Sequence, residues 1–280
     1  MANTPLAAPI RLLLLDVDGT LIGEDLNISP RVQQAVEAAH QQGVQIALCT
    51  GRPEIGTRRY IDALHLPGFH IFDSGATIAD PIAGITLYQK GITQAVANEM
   101  LNYARQHNVY IEVYSGSNYF VAYESEHTLI HTRLQQQPPT VTDLADMIAR
   151  LPVVKMEAVV IGEEEAARAQ AMLDHFSNDL DYGWATAPGV TARFCNILAK
   201  GLSKGDAVKR LIEHTGIPVA QVMAIGDGPN DEPLLQAVGV RVAMGNATPT
   251  LKQMATWITT SVDEDGVAVA IDRFILSDGH

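Results

Sequence analysis

The string Arg11-Leu12-Leu13-Leu14-Leu15-Asp16-Val17-Asp18-Gly19-Thr20 constrains this chain more than any other. A run of apolar residues reads as a strand buried on both faces of a sheet, the habit of parallel sheets covered by helices. It ends abruptly in two aspartates, a glycine and a threonine. Burying a carboxylate without a partner is costly, so two at one strand end require an explanation. At spacing i, i+2 they point the same way while the strand conformation lasts. A magnesium ion held between them would be that partner.

The rest of the pattern extends the same grammar. Ser29-Pro30 is a helix start, and Val32, Val36 and Ala39 share a face before Gly43 ends the helix. Val44 to Cys49 is a second buried strand, closed by Thr50-Gly51-Arg52-Pro53; a helix to about Leu64 and a strand at His70 to Asp73 follow. Late in the chain, Ser203 to Thr215 is a helix. Val222 to Ile225 is a strand ending in Gly226-Asp227-Gly228-Pro229-Asn230-Asp231, and Val240 to Met244 and Thr256 to Thr260 are strands. The alternation predicts an α/β parallel sheet. The middle differs. Val109 to Val113 and Tyr119 to Tyr123 form an expected antiparallel pair turning at Ser115 to Asn118, and helices are expected at Asn98 to His107 and Glu163 to Phe176. This predicts an inserted α+β domain over 82–192, between core segments 1–81 and 193–280.

A net charge of −13 argues against nucleic acid as a partner, because that binding neutralises phosphates with basic residues. No apolar run is long enough for a bilayer, so no membrane partner is expected. Met1 to Pro5 lacks the character of a secretory signal. With two cysteines in 280 residues, Cys49 and Cys195, a disulfide framework is not expected and a cytoplasmic setting is.

In open α/β sheets ligands bind beyond the carboxyl ends of the strands. Asp16 and Asp18, Thr50, Asp227, and Lys204 at a helix start would all share that rim. Singly, each has an ordinary explanation: a helix cap, a tight turn, an Asx turn, a solvated lysine. Jointly they fit phosphoryl transfer. Asp16 can attack phosphorus, and magnesium offsets the repulsion between two anions, with Asp16, Asp227 and the Asp18 carbonyl as oxygen ligands. The Asp18 side chain can then act as acid and base. Thr50, the Gly51 amide, Lys204 and the amides of Val17 and Asp18 can hold the phosphate oxygens. An EF-hand fails, because loop positions six and twelve are Leu21 and Asn27. No P-loop, histidine metal motif or nucleophile elbow is present.

Four motifs, Asp16-Val17-Asp18-Gly19-Thr20, Thr50-Gly51-Arg52, Lys204-Gly205 and Gly226-Asp227-Gly228-Pro229-Asn230-Asp231, together resemble the haloacid dehalogenase superfamily. The string Val242-Ala243-Met244-Gly245-Asn246-Ala247 resembles its Cof-like, type IIB branch. The resemblance implies a Rossmann-like core with a mobile type C2 cap. It also implies a nucleophile at Asp16, an acid/base at Asp18, and phosphate contacts at Thr50, Gly51, Lys204 and Asn230. Asp16, Asp18 and Asp227 would hold magnesium, and Asp231 would orient metal-bound water or Lys204. Relatives carry Asn-Gly-Ala where this chain has Ser74-Gly75-Ala76, which would alter a substrate-side contact. The activity implied is a magnesium-dependent phosphatase for a small phosphorylated metabolite, a sugar phosphate foremost. The alternatives are a phosphomutase and a non-enzymatic phosphoryl-dependent module. Tyr110, Tyr114, Tyr119 and Arg193 are candidate specificity residues, and Ile82 to Gly84 and Pro188 to Val190 candidate hinges.

Overall fold

The computed structural model describes residues 8–135, 137–186 and 190–277. The expectations placed on Met1 to Pro5 and on Pro188-Gly189 therefore lie outside the described residues. The chain divides into two units: 1–51, 58–87 and 203–280 form the first, and 52–57 with 88–202 form the second.

In the first unit a five-stranded parallel sheet has Leu12–Leu15 next to last. It lies between Val222–Gly226 and Gln45–Leu48, with Val240–Ala243 and Trp257–Ile258 beyond Val222–Gly226. All four leucines of the leading strand are buried, as the apolar run requires. The chain leaves this strand toward Gln45–Leu48 on one side and returns late to Val222–Gly226 on the other. That reversal of strand order opens a crevice at the carboxyl ends, where α/β sheets bind ligands. His70–Phe72 joins the Gln45–Leu48 edge through a parallel bridge between Cys49 and Ile71, and pairs antiparallel with Thr77–Asp80 in a further three-stranded sheet. Helix Pro30–Gln41 begins with the Ser29 hydroxyl accepting from the Val32 amide at 3.1 Å, a local cap with proline at the first helical position. Ile82 to Gly84, expected as a hinge, is the turn between two neighbouring strands, Thr77–Asp80 and Ile85–Gln89, with the Asp80 carboxylate accepting from the Ile82 and Ala83 amides.

The second unit is a six-stranded sheet ordered Leu180–Thr186, Arg193–Ala199, Lys155–Val160, Ile111–Ser115, Asn118–Val121, Thr140–Val141. It is antiparallel except at the last pair. Side chains alternate across a sheet. Ile111, Val113, Met156, Ala158, Cys195 and Ile197 pack one face against helices Gln94–Gln106, Leu144–Arg150 and Gly162–His175. Helix Glu126–Gln135 lends Ile130 and Leu134 to a smaller cluster with Val121, Val159 and Phe194. The boundary at 192 needs correction. Strand Arg193–Ala199 pairs on both sides within this sheet and belongs to the second unit, and the front boundary falls at 88 rather than 82. Its composition resembles a core strand, so only its pairing reveals its allegiance.

Candidate active site

Asp16 is the first residue after the leading strand, its amide donating to the Ile225 carbonyl at 3.0 Å. The strand thus delivers a buried carboxylate to the crevice. Lys204 opens helix Lys204–Thr215, where the Ser203 hydroxyl accepts from the Asp206 amide. Its ammonium is fully buried and donates at 2.6 Å to Asp16 Oδ1 and at 2.6 Å to Asp231 Oδ1. The other oxygen of Asp231 accepts from the Asp227 and Gly228 amides, each at 3.0 Å. Asp231 therefore shapes the 226–231 loop and places Lys204 at the same time.

Asp227 leaves the neighbouring strand. Its Oδ1 accepts from the Thr20 hydroxyl at 3.2 Å and its Oδ2 from the Asn246 amide at 3.4 Å. Asn246 also donates to the Gly19 carbonyl at 2.8 Å and accepts from the Val262 amide at 2.9 Å. Gly19 has φ +77°, and a Cβ there would lie 2.3 Å from Asp227 Oδ2, so conformation and space both demand glycine. The glycine after the two aspartates is thus explained by the close approach of the later Gly-Asp loop.

One carboxylate oxygen from each of Asp16, Asp227 and Asp231 lies within 4.8 Å of the others. Asp18 is exposed, just beyond this triad, where it forms an isolated bridge with Ile22. The Val17 carbonyl accepts from the Leu21 and Ile22 amides, which curls the Asp16 to Thr20 segment. Thr50 is buried at the end of its strand, donating its amide to Ile71 and accepting from the Ser74 amide, and Gly51 follows it. Asn230 is exposed in the Pro229–Asp231 turn. The structure so brings Asp16, Lys204, Asp227 and Asp231 into direct company and sets Asp18, Thr50, Gly51 and Asn230 on the adjoining strand ends and loops. Thr20 and Asn246 went unassigned in the sequence. Asn246 stands in a noted string, but its partners lie 227 and 16 residues away, beyond any local spacing signal.

The electrostatics are unbalanced. Burial, then the Asp231 charge, holds Asp16 well above the ordinary carboxylate range. The same two causes push Asp227 up to about 6. Burial works against the Lys204 ammonium, but Asp16 and Asp231 outweigh it and keep Lys204 protonated far above neutrality. Three carboxylates against one ammonium leave an excess of negative charge on hard oxygen donors. That donor set suits a small oxygen-seeking divalent cation. Cys49 and Cys195 are buried free thiols whose ionisation burial opposes.

The candidate specificity residues belong to the second unit. Tyr114 stacks on Tyr119 with ring centroids 5.4 Å apart, and the Tyr110 hydroxyl meets that of Thr128 at 2.7 Å. Arg193 pairs with exposed Glu163. None of the described helices is long and apolar enough to cross a membrane.

Residues 13–271 match the family model of the haloacid dehalogenase-like hydrolases. The 5-amino-6-(5-phospho-D-ribitylamino)uracil phosphatase YwtE of Bacillus subtilis is 27% identical over 287 aligned positions, covering 95% of this chain and 98% of the relative. A haloacid dehalogenase-like hydrolase from Bacteroides thetaiotaomicron superposes with a TM-score of 0.85 at 26% identity, covering 94% of this chain and 99% of that one. The subclass IIB sugar phosphatase BT4131 superposes at 0.76 with 27% identity, covering 94% and 98%.

Proposed function

The chain belongs to the haloacid dehalogenase-like hydrolases, and on that premise we propose that it is a phosphatase releasing phosphate from a small metabolite, a sugar phosphate foremost, through an aspartyl-phosphate on Asp16. The observation that carries this reading is the buried Lys204 ammonium shared by Asp16 and Asp231 beside Asp227. It fixes one carboxylate oxygen of Asp16 and leaves the other for attack. The new bond joins Asp16 to phosphorus as the ester oxygen departs, and Asp18 gives that oxygen its proton. Asp18 then takes a proton from the water that attacks phosphorus, and the Asp16 carboxylate is regenerated with free phosphate. Thr50, the amides of Val17 and Gly51, Lys204 and Asn230 are the groups for the peripheral oxygens, whose charge must be stabilised.

Magnesium, held by Asp16, Asp227 and Asp18, would neutralise the charge that otherwise keeps a carboxylate and a phosphate apart. The carboxylate excess supports it. The names of two relatives, a ribitylamino-phosphate phosphatase and a sugar phosphatase, support a polyhydroxylated substrate. The second unit is assigned as the type C2 cap that sets specificity. Buried free thiols fit a reducing cytoplasm.

The test is hydrolysis of an aryl phosphate followed by a panel of phosphorylated metabolites. Free phosphate, not an isomerised sugar phosphate, is the expected product, and phosphate that survives acid quench but is released by hydroxylamine should be trapped on Asp16. Undiminished turnover after chelation would remove the metal from the account.

A further inference from the structure

Between Phe72 and Thr77 the backbone passes through three consecutive residues with positive φ: Asp73 at 50°, Ser74 at 54° and Gly75 at 102°. Ser74 has ψ 28°, within the left-handed helical region. Glycine occupies that region freely, whereas a residue with a Cβ does so at a cost. Such strain persists only where the surroundings impose it, and it gathers at ligand contacts.

The surroundings are specific here. The Ser74 amide donates to the Thr50 carbonyl at 3.0 Å, and the Ala76 amide closes the turn onto the Asp73 carbonyl at 3.0 Å. A Cβ on Gly75 would lie 2.4 Å from the carbonyl oxygen of Ser203, the residue before Lys204. The turn is thereby wedged between the Thr50-Gly51 strand end and the start of the helix that carries Lys204. Ser74 is half-buried, and its Oγ sits 3.2 Å from where a Cβ of Gly51 would be. Glycine at 74 would satisfy the backbone better, so the conformation itself does not account for a serine.

We propose that Ser74 is an anion-contact residue, its hydroxyl donating to a peripheral oxygen of the phosphoryl group held by Thr50, Gly51 and Lys204. This rests on the phosphatase reading above. A hydroxyl donating to an ionised oxygen makes one of the stronger hydrogen bonds. The strained turn holds it ready before the anion arrives, so little ordering remains to be done on binding.

The experiment compares the full-length, magnesium-supplied protein with Ser74→Ala and Ser74→Gly. It measures the inhibition constants of inorganic phosphate and vanadate against aryl phosphate hydrolysis, phosphate binding by calorimetry, and Tm. Both variants should bind both anions roughly tenfold or more weakly. Ser74→Gly should do so with a raised Tm, because strain is relieved as the donor is lost. Weaker anion binding in a more stable protein is not what a purely structural turn would give. Parental anion affinity in both variants would overturn the proposal while leaving the phosphatase reading intact. An unaltered protein that neither hydrolyses the aryl phosphate nor binds vanadate would overturn both.

Discussion

Each unit buries a network of charges, and the two are built on opposite balances. In the first, Lys204 pairs with Asp16 and Asp231 while Asp227 lies close to both carboxylates, and Asp16 and Asp227 are pushed above their ordinary range. In the second, Glu112 and Glu157 meet Lys155 and His131. His131 Nδ1 lies 2.6 Å from Glu112 and its Nε2 3.7 Å from Glu157, while Lys155 sits 2.7 Å from Glu157, 2.6 Å from Asn196 and over the Tyr114 ring. Burial would raise the Glu157 carboxyl, but Lys155 and His131 outweigh it and hold it below its usual value. Burial likewise opposes the His131 imidazolium, and Glu112 and Glu157 prevail. The second network is neutral once His131 is protonated. Burial alone therefore does not mark a functional site. An uncompensated charge is the more informative feature, because it asks for something that is not protein.

This contrast can be broken in several ways. The largest effect should follow Asp16→Asn, since an amide is a poor nucleophile. Turnover of an aryl phosphate should fall by more than about a thousandfold in a folded protein. Near-parental turnover would refute the nucleophile. Asp18→Asn should slow turnover by roughly a hundred- to ten-thousandfold, most severely for esters with poor leaving groups. A loss independent of leaving-group pKa would argue against Asp18 as the acid. In the balanced network, Lys155→Met should cost about 3–5 kcal/mol in urea unfolding, because Glu157 loses its ammonium. Divalent cations should not restore it. By contrast, magnesium at a hundredfold excess over its Kd should stabilise the unaltered protein by about 2.7 kcal/mol. Asp227→Asn should shrink that shift, and an unchanged shift would move the ion elsewhere. The smallest effect is on pH dependence. The depressed Glu157 contributes stability above its unfolded value near 4.5 and loses it as pH falls through the folded value. The raised His131 contributes below 6.5 and loses it as pH climbs through its higher folded value. Tm against pH should decline on both sides, and His131→Gln should lessen the alkaline decline, the remainder belonging to Asp16 and Asp227, whose raised carboxyls also lose stability as pH rises.

Much of the first unit was legible because its signals are local. An apolar run broken by Asp16 and Asp18 marks a strand end, Ser29-Pro30 a helix start, and Ser203-Lys204 another. The second unit was harder. Helix Glu126–Gln135 went unread because its apolar residues do not gather on one side, its buried positions including Thr128 and His131. Glu112, Lys155, Glu157 and Asn196 look like the polar half of ordinary strand alternation. Only strand register shows that they share a face, and His131 reaches them from a helix. Asn246 and Ser74 are similar cases, for their meaning lies in the Gly19 carbonyl and the Thr50–Gly51 strand end.

The amino-acid order alone settled which side chains stand at the ends of which strands, since hydrophobic period and turn chemistry are short-range properties. Only the tertiary structure decided which of those ends meet, that the Lys204 ammonium bridges Asp231 to Asp16, and that one buried charge cluster is balanced and the other is not. Electrostatic interaction depends on distance through space, and in a folded chain residues 188 positions apart can lie 2.6 Å from each other.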